Sequence, residues 1–293
     1  MYGEERAKKP LSPVMRQYHA AKSAYPDAVL FFRMGDFYEM FHDDAVVVSR
    51  ELDLTLTSRN KGAADEVPMA GVPHHAATGY IARLLARGHK VAICEQMADP
   101  QKTRGIVPRA VVRVMTPGLI TDGEQLDGRV NHFLCALAGA EGAPYGLARL
   151  DLSTGDLAAA VVVDGAELVA ELSRLDPREL LIPEELASLV EPARRAAPRA
   201  AVRSDEPMAV EDARQVLIDV LGGTGASDAE SSILPAALLA AARVLRFAQR
   251  CNPTTSLPVK RVAAWDPSAT LQIDEVAQMH LELVRAADGG KTG

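Results

Sequence analysis

The sequence predicts an α/β protein: a mixed-sheet domain, a second α/β domain, and the opening of a further region. Three observations carry this. Short β-branched runs alternate with amphipathic helical stretches through the first part of the chain. Pro117, Gly118 and the polar run TDGEQLDG (121–128) interrupt that pattern. After them come strand-rich segments, then alternating strands and helices, until VAAWDPSATLQIDEVAQMHLELV (262–284) starts something new. A chain of 293 residues has room for two ordinary domains and part of a third.

SPVMRQYHAAKSAY (12–25) has helical spacing, with Ser12 as cap, Pro13 at the first helical position and Pro26-Asp27 as the stop. VLFFRM and FYEMF read as short strands around Gly35-Asp36, a hairpin-type turn signal. DDAVVVSRELDL (43–54) fits a helix with an acidic first turn. TLTSRNKGAADEVPMAGVPHHA (55–76) holds Gly62, Pro68, Gly71 and Pro73 and is expected to be mainly loop. ATGYIARLLARG (77–88) is an amphipathic helix ending at Gly88, a residue common just past a helix end. KVAICEQ (90–96) and AVVRVMTPG (110–118) are strands.

In the second part, HFLCALAG and YGLARLDLSTGDLAAAVV are strand-rich, and a helix is expected over 165–175. ELLIP (179–183) is a short strand, and the Arg/Ala/Pro-rich 192–203 leads to a helix over 210–221. GGTGASDAESS (222–232) reads as a loop, and LPAALLAAARVLRFAQRC (234–251) as an Ala/Leu-rich helix.

Composition narrows the function classes. No apolar run approaches the length of a membrane span, and MYGEERAKKPLSP lacks the apolar core of a secretory signal. Cys94, Cys135 and Cys251 are odd in number and form no C-x-x-C pair, which fits a reducing cytoplasm and disfavours a disulfide framework or zinc site. Arg outnumbers Lys by 24 to 8, with abundant Ala, as in proteins of GC-rich bacterial genomes.

The net charge of −7 is unevenly spread: residues 1–125 hold 16 Lys/Arg against 15 Asp/Glu, and residues 126–293 hold 16 against 24. Residues 59–113 contain nine basic side chains and four acidic ones. The first part is therefore where phosphate contacts are plausible, although a merely solvated surface has the same composition.

Phe37 and Glu39 stand two apart just after Gly35-Asp36. In a strand, alternate residues point to one side, about 6.5–7 Å apart. Phe37, Glu39 and Phe41 thus share one face, and Tyr38 and Met40 share the other, where they can pack on the domain. A core position is the ordinary fate of a phenylalanine, but burying Glu39 beside it without a partner would be costly. The alternative is an outward pair that probes bases. A ring at a hairpin tip can wedge between stacked bases, and a mispaired base is already poorly stacked. A carboxylate repels phosphates and accepts a hydrogen bond from a displaced base edge.

Other segments carry less. His74-His75 has no carboxylate or cysteine at metal-ligand spacing and reads as loop histidines. The terminal GKT fails as a phosphate-binding loop, because the glycine needed at position 285 is Arg285.

FFRMGDFYEMF (31–41), PMAGVPHHA (68–76), VAICEQMADP (91–100) and VVRVMTPG (111–118) together resemble the amino-terminal part of the DNA mismatch repair MutS family. The likeness runs in order through residues 10–125 and continues more weakly through YGLARLDLSTGD (145–156), RELLIPE (178–184) and LQIDEVAQMHLEL (271–283). It implies a mismatch-recognition domain over 1–125, an RNase H-like α/β connector domain over 126–262, and the start of an all-α core/lever region over 263–293.

The family's Phe-x-Glu element falls on Phe37 and Glu39, which implies that Phe37 stacks on the mispaired base and Glu39 hydrogen-bonds to it. Met34, Arg59, Pro68, Met69 and Arg109 match positions near the DNA, as supports and backbone contacts. TSRNKG departs from the family's spacing of basic residues, which adds Lys61 as a phosphate contact. The partners implied are mismatched duplex DNA, MutL through the connector, and a second copy in the full-length homodimer; no membrane is implied. ATP and Mg belong to a carboxy-terminal ATPase domain absent from this chain, for which no cofactor or enzymatic activity is expected.

Two rival functions follow. An RNase H-like domain raises a metal-dependent nuclease, for which Asp151 would be the first carboxylate. The strand after it has no interior acid, so Asp151 reads better as a turn-stabilising side chain. The other rival is a protein-interaction fragment without a DNA role of its own.

Overall fold

A computed structural model describes residues 11–62, 66–99, 103–120, 132–142 and 144–269. The expected core/lever segment 271–283 and the terminal GKT lie outside the described residues. The chain divides into two compact units. One runs through Thr116 and includes Cys251–Thr255; the other comprises Pro117–Arg250 and the residues from Ser256 on.

In the first unit, α1 (Pro13–Ala24) starts as its sequence requires, with the Ser12 hydroxyl accepting from the Met15 amide at 3.3 Å and Pro13 in the first turn. β1 (Ala28–Met34) and β2 (Phe37–Phe41) form an antiparallel hairpin in which Met34 lies opposite Phe37. The connecting turn places Gly35 at φ +59°, where the missing Cβ removes the steric cost. α2 (His42–Leu52) follows, then β3 (Thr57–Arg59) and β4 (Val67–Pro73). α3 (Ala77–Ala86), β5 (Lys90–Gln96) and β6 (Arg109–Met115) complete the unit. The strands form one sheet in the order β3-β4-β2-β1-β5-β6, with only β1 and β5 parallel.

The 55–76 stretch differs from expectation: it holds β3 and β4 rather than mainly loop. Gly and Pro outweigh the strand formers locally, yet Pro68 and Pro73 occupy the second and last positions of β4, where lost donors do least harm. The pairing of Phe41 with Met69 and of Glu39 with Gly71 supplies what local propensity lacks.

The face carrying Phe31, Met40, Ala70, Val72 and Val91 is buried. On the other face, α1 places Tyr18 edge-on to Phe32 and Phe41, with ring centroids 5.5 and 5.0 Å away. Buried Asp44 accepts from the Leu30 amide at 3.0 Å and from Lys22 Nζ at 2.8 Å, so the carboxylate is paired inside the unit.

The second unit begins with an antiparallel meander of β7 (Leu134–Ala138), β8 (Tyr145–Asp151) and β9 (Asp156–Val162). α4 (Gly165–Leu175), capped by the Asp164 carboxylate, returns the chain to β10 (Glu179–Pro183), parallel to β7. α5 (Val190–Ala196) leads to β11 (Ala201–Asp205), parallel to β10. α6 (Val210–Ser232), α7 (Pro235–Cys251) and the short β12 (Ala263–Ala264), parallel to β9, complete it. The order β11-β10-β7-β8-β9-β12 contains three antiparallel strands followed by two parallel ones, the RNase H-like arrangement.

GGTGASDAESS is helical rather than loop. It forms the second half of α6 after a break at Gly222 (φ +76°), with Ala226 and Ala229 buried. The Ser231 and Ser232 hydroxyls donate back to Ser227 and Asp228 carbonyls at 2.8 and 2.7 Å, so residues that suggest a turn are absorbed within a helix.

Gly146 marks where α7 meets β8: a Cβ there would stand 1.9 Å from the Ala236 carbonyl oxygen, which is backbone and cannot swing aside. Gly146→Ala is expected to lower stability by at least ~2 kcal/mol through overpacking. Urea unfolding should show a lower midpoint at an unchanged slope; a wild-type midpoint would show that the close approach is unimportant.

Candidate nucleic-acid interface

Strand register sorts the predicted residues by side. Cross-strand partners share a face, so Phe37 lies with Met34 and Pro73, Glu39 with Phe32 and Gly71, and Phe41 with Met69. The same face continues to Thr57 and Arg59 of β3, to Cys94 and Gln96 of β5, and to Arg109 of β6. Six of the eight residues singled out from the sequence therefore share this face: Met34, Phe37, Glu39, Arg59, Met69 and Arg109. Pro68 alternates to the opposite side and is exposed; Lys61 is exposed in the turn beyond β3.

Phe37 is 47% exposed, whereas Tyr38 is 7% exposed and Met40 and Phe41 are fully buried. Phe41 belongs to the expected face but does not share its exposure, because Tyr18 of α1 covers it. The hairpin tip is tied to the end of β4. The Asp36 carbonyl accepts from the His74 amide at 2.9 Å, and the His74 ring Nδ1 stands 3.3 Å from the same oxygen. His74 and His75 lie edge to face, and among the described residues no group of three or more His, Cys, Asp or Glu side chains could hold a metal.

Glu39 is half-buried. Burial pushes its carboxyl above the ordinary carboxylate range, and Arg59 and Arg109 pull it back. Arg59 Nη1 lies 3.5 Å from Glu39 Oε2, and its guanidinium sits 5.5 Å from the centre of the Phe41 ring. Arg109 packs over Phe32 at 5.2 Å, and its Nε and Nη1 donate to the Arg33 and Val107 carbonyls at 2.8 and 3.0 Å. It thereby ties β6 to the end of β1. On the opposite face Tyr38 donates to Glu95, which also lies 3.9 Å from Arg33 Nη1.

Sequence reasoning missed the Arg59–Glu39 pair and the His74 tie. Both link segments far apart in the chain, and a lone sequence has no local signal for such contacts. In the second unit, Asp151 Oδ1 accepts from the Ser153 amide at 3.0 Å and hydroxyl at 2.6 Å, the turn role expected of it. All three cysteines are buried and none is in a disulfide, and burial pushes the Cys94 and Cys135 thiols up to about 12. No helix among the described residues is long and apolar enough to cross a membrane.

A mixed sheet that displays an aromatic–carboxylate pair, followed by an RNase H-like sheet, defines a modular α/β protein of two units. Residues 12–124 match the family model described as MutS domain I, and residues 132–259 match MutS domain II. The chain belongs to the MutS family. It is 59% identical to the DNA mismatch repair protein MutS of Sorangium cellulosum (strain So ce56), across 98% of this chain and 32% of that protein. It is 44% identical to the protein of the same description from Anaeromyxobacter sp. (strain Fw109-5), across 96% of this chain and 31% of the relative. For Myxococcus xanthus (strain DK1622) the figures are 41%, 97% and 32%. The chain thus spans about a third of the length of the curated relatives it matches.

Proposed function

We propose that this chain recognises base mismatches and small insertion/deletion loops in duplex DNA, and so begins mismatch repair. The observation that carries the reading is Phe37: a large aromatic held outward at a hairpin tip, on a strand where Tyr38, Met40 and Phe41 are buried, with a half-buried carboxylate two positions on. The ring enters between base pairs from the minor groove and kinks the duplex. The cost of unstacking is lower where a pair is already faulty, so selectivity comes from deformability rather than from a base code. Glu39 accepts a hydrogen bond from the freed base and repels the phosphates of intact duplex. Met34 and Met69 support that face, Arg109 braces it, and Lys61 lies at the backbone; Pro68, on the other side of β4, is left without a direct contact in this reading.

In this reading residues 1–125 are the mismatch-recognition domain, 126–262 the connector that offers a surface to MutL, and 263–293 the start of the core. The full-length protein works as a homodimer and couples recognition to ATP and Mg in a domain outside this chain.

Fluorescence anisotropy with G·T duplex and matched homoduplex tests this. The full-length protein is expected to bind the G·T duplex more tightly, with both affinities falling as salt rises. This chain alone should bind weakly and with the same salt sensitivity. Equal affinity of the full-length protein for the two duplexes would refute mismatch recognition; a tight, salt-insensitive complex of the chain alone would refute its dependence on the rest of the protein.

A further inference from the structure

Glu39 meets its counter-ion before any DNA arrives. Arg59 comes from β3, two strands away across β4, and reaches over the Phe41 ring to place Nη1 3.5 Å from Glu39 Oε2. Its stem is packed rather than waving in solvent: the two side chains are 29% and 23% exposed. A guanidinium laid on a buried aromatic ring is fixed in advance, so the pair loses little rotamer freedom on forming.

We propose that Arg59 is a positioning residue for the discriminating carboxylate, holding Glu39 ionised and oriented, so that mismatch selectivity depends on Arg59 through Glu39 rather than through a phosphate contact. The inference rests on the reading of Glu39 given above.

Among the described residues, the surroundings of Glu39 leave Arg59 as its near partner. Arg109, from β6, is the other cation that acts on Glu39, but its guanidinium is committed to the Arg33 and Val107 carbonyls and to the Phe32 ring. Cys94, on β5 and the same face, stays a neutral thiol, since burial pushes it up to about 12. Arg33 of β1 and Glu95 of β5 point to the opposite face, where they lie beside Tyr38. The β4 residues on the Glu39 side are Val67, Met69, Gly71 and Pro73, none of which titrates. Tyr18 of α1 donates to the Phe41 carbonyl, and burial raises its hydroxyl far above neutrality.

Burial works against the Glu39 charge and the two arginines work for it. Without Arg59 the carboxylate takes up a proton at a higher pH, and the repulsion of intact duplex is lost from that pH downward.

The test compares wild type, Arg59→Met, Arg59→Lys, Glu39→Gln and Arg59→Met/Glu39→Gln in the full-length protein. Affinities for G·T duplex and homoduplex are measured from pH 5 to 8 at fixed salt, with thermal unfolding as a check on folding. Arg59→Met is expected to reduce the G·T-to-homoduplex affinity ratio about tenfold, the size of coupling found between contacting side chains. The ratio should begin to fall at a higher pH than in wild type, and Arg59→Lys should restore most of the profile. In the Glu39→Gln background Arg59→Met should change the ratio no further.

A DNA-free arm reads the pair directly: the Glu39 carboxyl carbon, followed by NMR in protein labelled at glutamate, should titrate at a higher pH in Arg59→Met. If that midpoint does not move, or if Arg59→Met weakens both duplexes equally and lowers the salt slope by about one in either background, Arg59 is a phosphate contact and the inference is overturned. If instead Glu39→Gln leaves the ratio unchanged while the NMR midpoint moves, Glu39 is not the discriminator, and it is the parent reading that fails.

Discussion

Phe37→Ala in the full-length protein is expected to abolish the preference for a G·T duplex over homoduplex while leaving the fold intact. The size follows from the proposed role of the ring: stacking on one base is worth about 1–3 kcal/mol by alanine substitution, roughly a 5- to 150-fold loss of preference. The sparing of the fold follows from where the ring sits. Phe37 is 47% exposed and lies opposite Met34 and Pro73 at the open end of the sheet, whereas the core aromatics Phe31, Phe32 and Phe41 are fully buried. Removing a half-solvated ring there should change unfolding stability by no more than about 0.5–1 kcal/mol. Anisotropy titrations with both duplexes at one salt, together with a urea melt, read the two effects separately. Retained preference would remove the wedge from the mechanism; a collapse in stability with lost binding would return Phe37 to the core.

Much of this region was legible in the sequence because its signals are local. Gly35-Asp36 between two apolar runs fixes a hairpin, and a period of two then puts Phe37 and Glu39 on one side with no long-range information. Ser12-Pro13 opens α1 and Gly88 follows α3 for equally local reasons. What escaped depends on partners distant in sequence. β4 carries two prolines and a glycine and becomes a strand only because β2 and β3 pair with it on either side. The second half of α6 is rich in Gly and Ser, and its buried Ala226 and Ala229 mark a packing choice that composition hides. The burial of Phe41 needs Tyr18, 23 residues earlier, and the Arg59–Glu39 pair needs a side chain 20 residues further on. Period and turn chemistry place a residue on a face; which part of that face stays open depends on which helix lies across it.

Glu39→Ala should act in the opposite direction from Phe37→Ala, and that contrast separates the discriminator from the wedge. Losing the wedge weakens the mismatch complex. On the proposed reading, in which Glu39 faces the sugar–phosphate backbone, losing its negative charge should strengthen the complex with intact duplex, since like charges brought together at an interface cost several kcal/mol. Homoduplex affinity is expected to rise about tenfold, a change of about 1.4 kcal/mol. The mismatch complex should change less, because there it loses both a repulsion and a hydrogen bond to the freed base. The protein's own stability should move by no more than about 1 kcal/mol, since the lost attraction to Arg59 is offset by relief of the burial that disfavours the Glu39 charge. Glu39→Gln refines the cause: the amide keeps a hydrogen-bonding oxygen and drops the charge. It should therefore tighten homoduplex as Ala does while binding the G·T duplex better than Ala does. In wild type the same tightening should appear as pH falls through the raised titration of Glu39, from the neutral side toward acid, and should be missing from Glu39→Gln. Unchanged homoduplex affinity in both variants would mean that the carboxylate does not face phosphate, and selectivity would then rest on Phe37 alone.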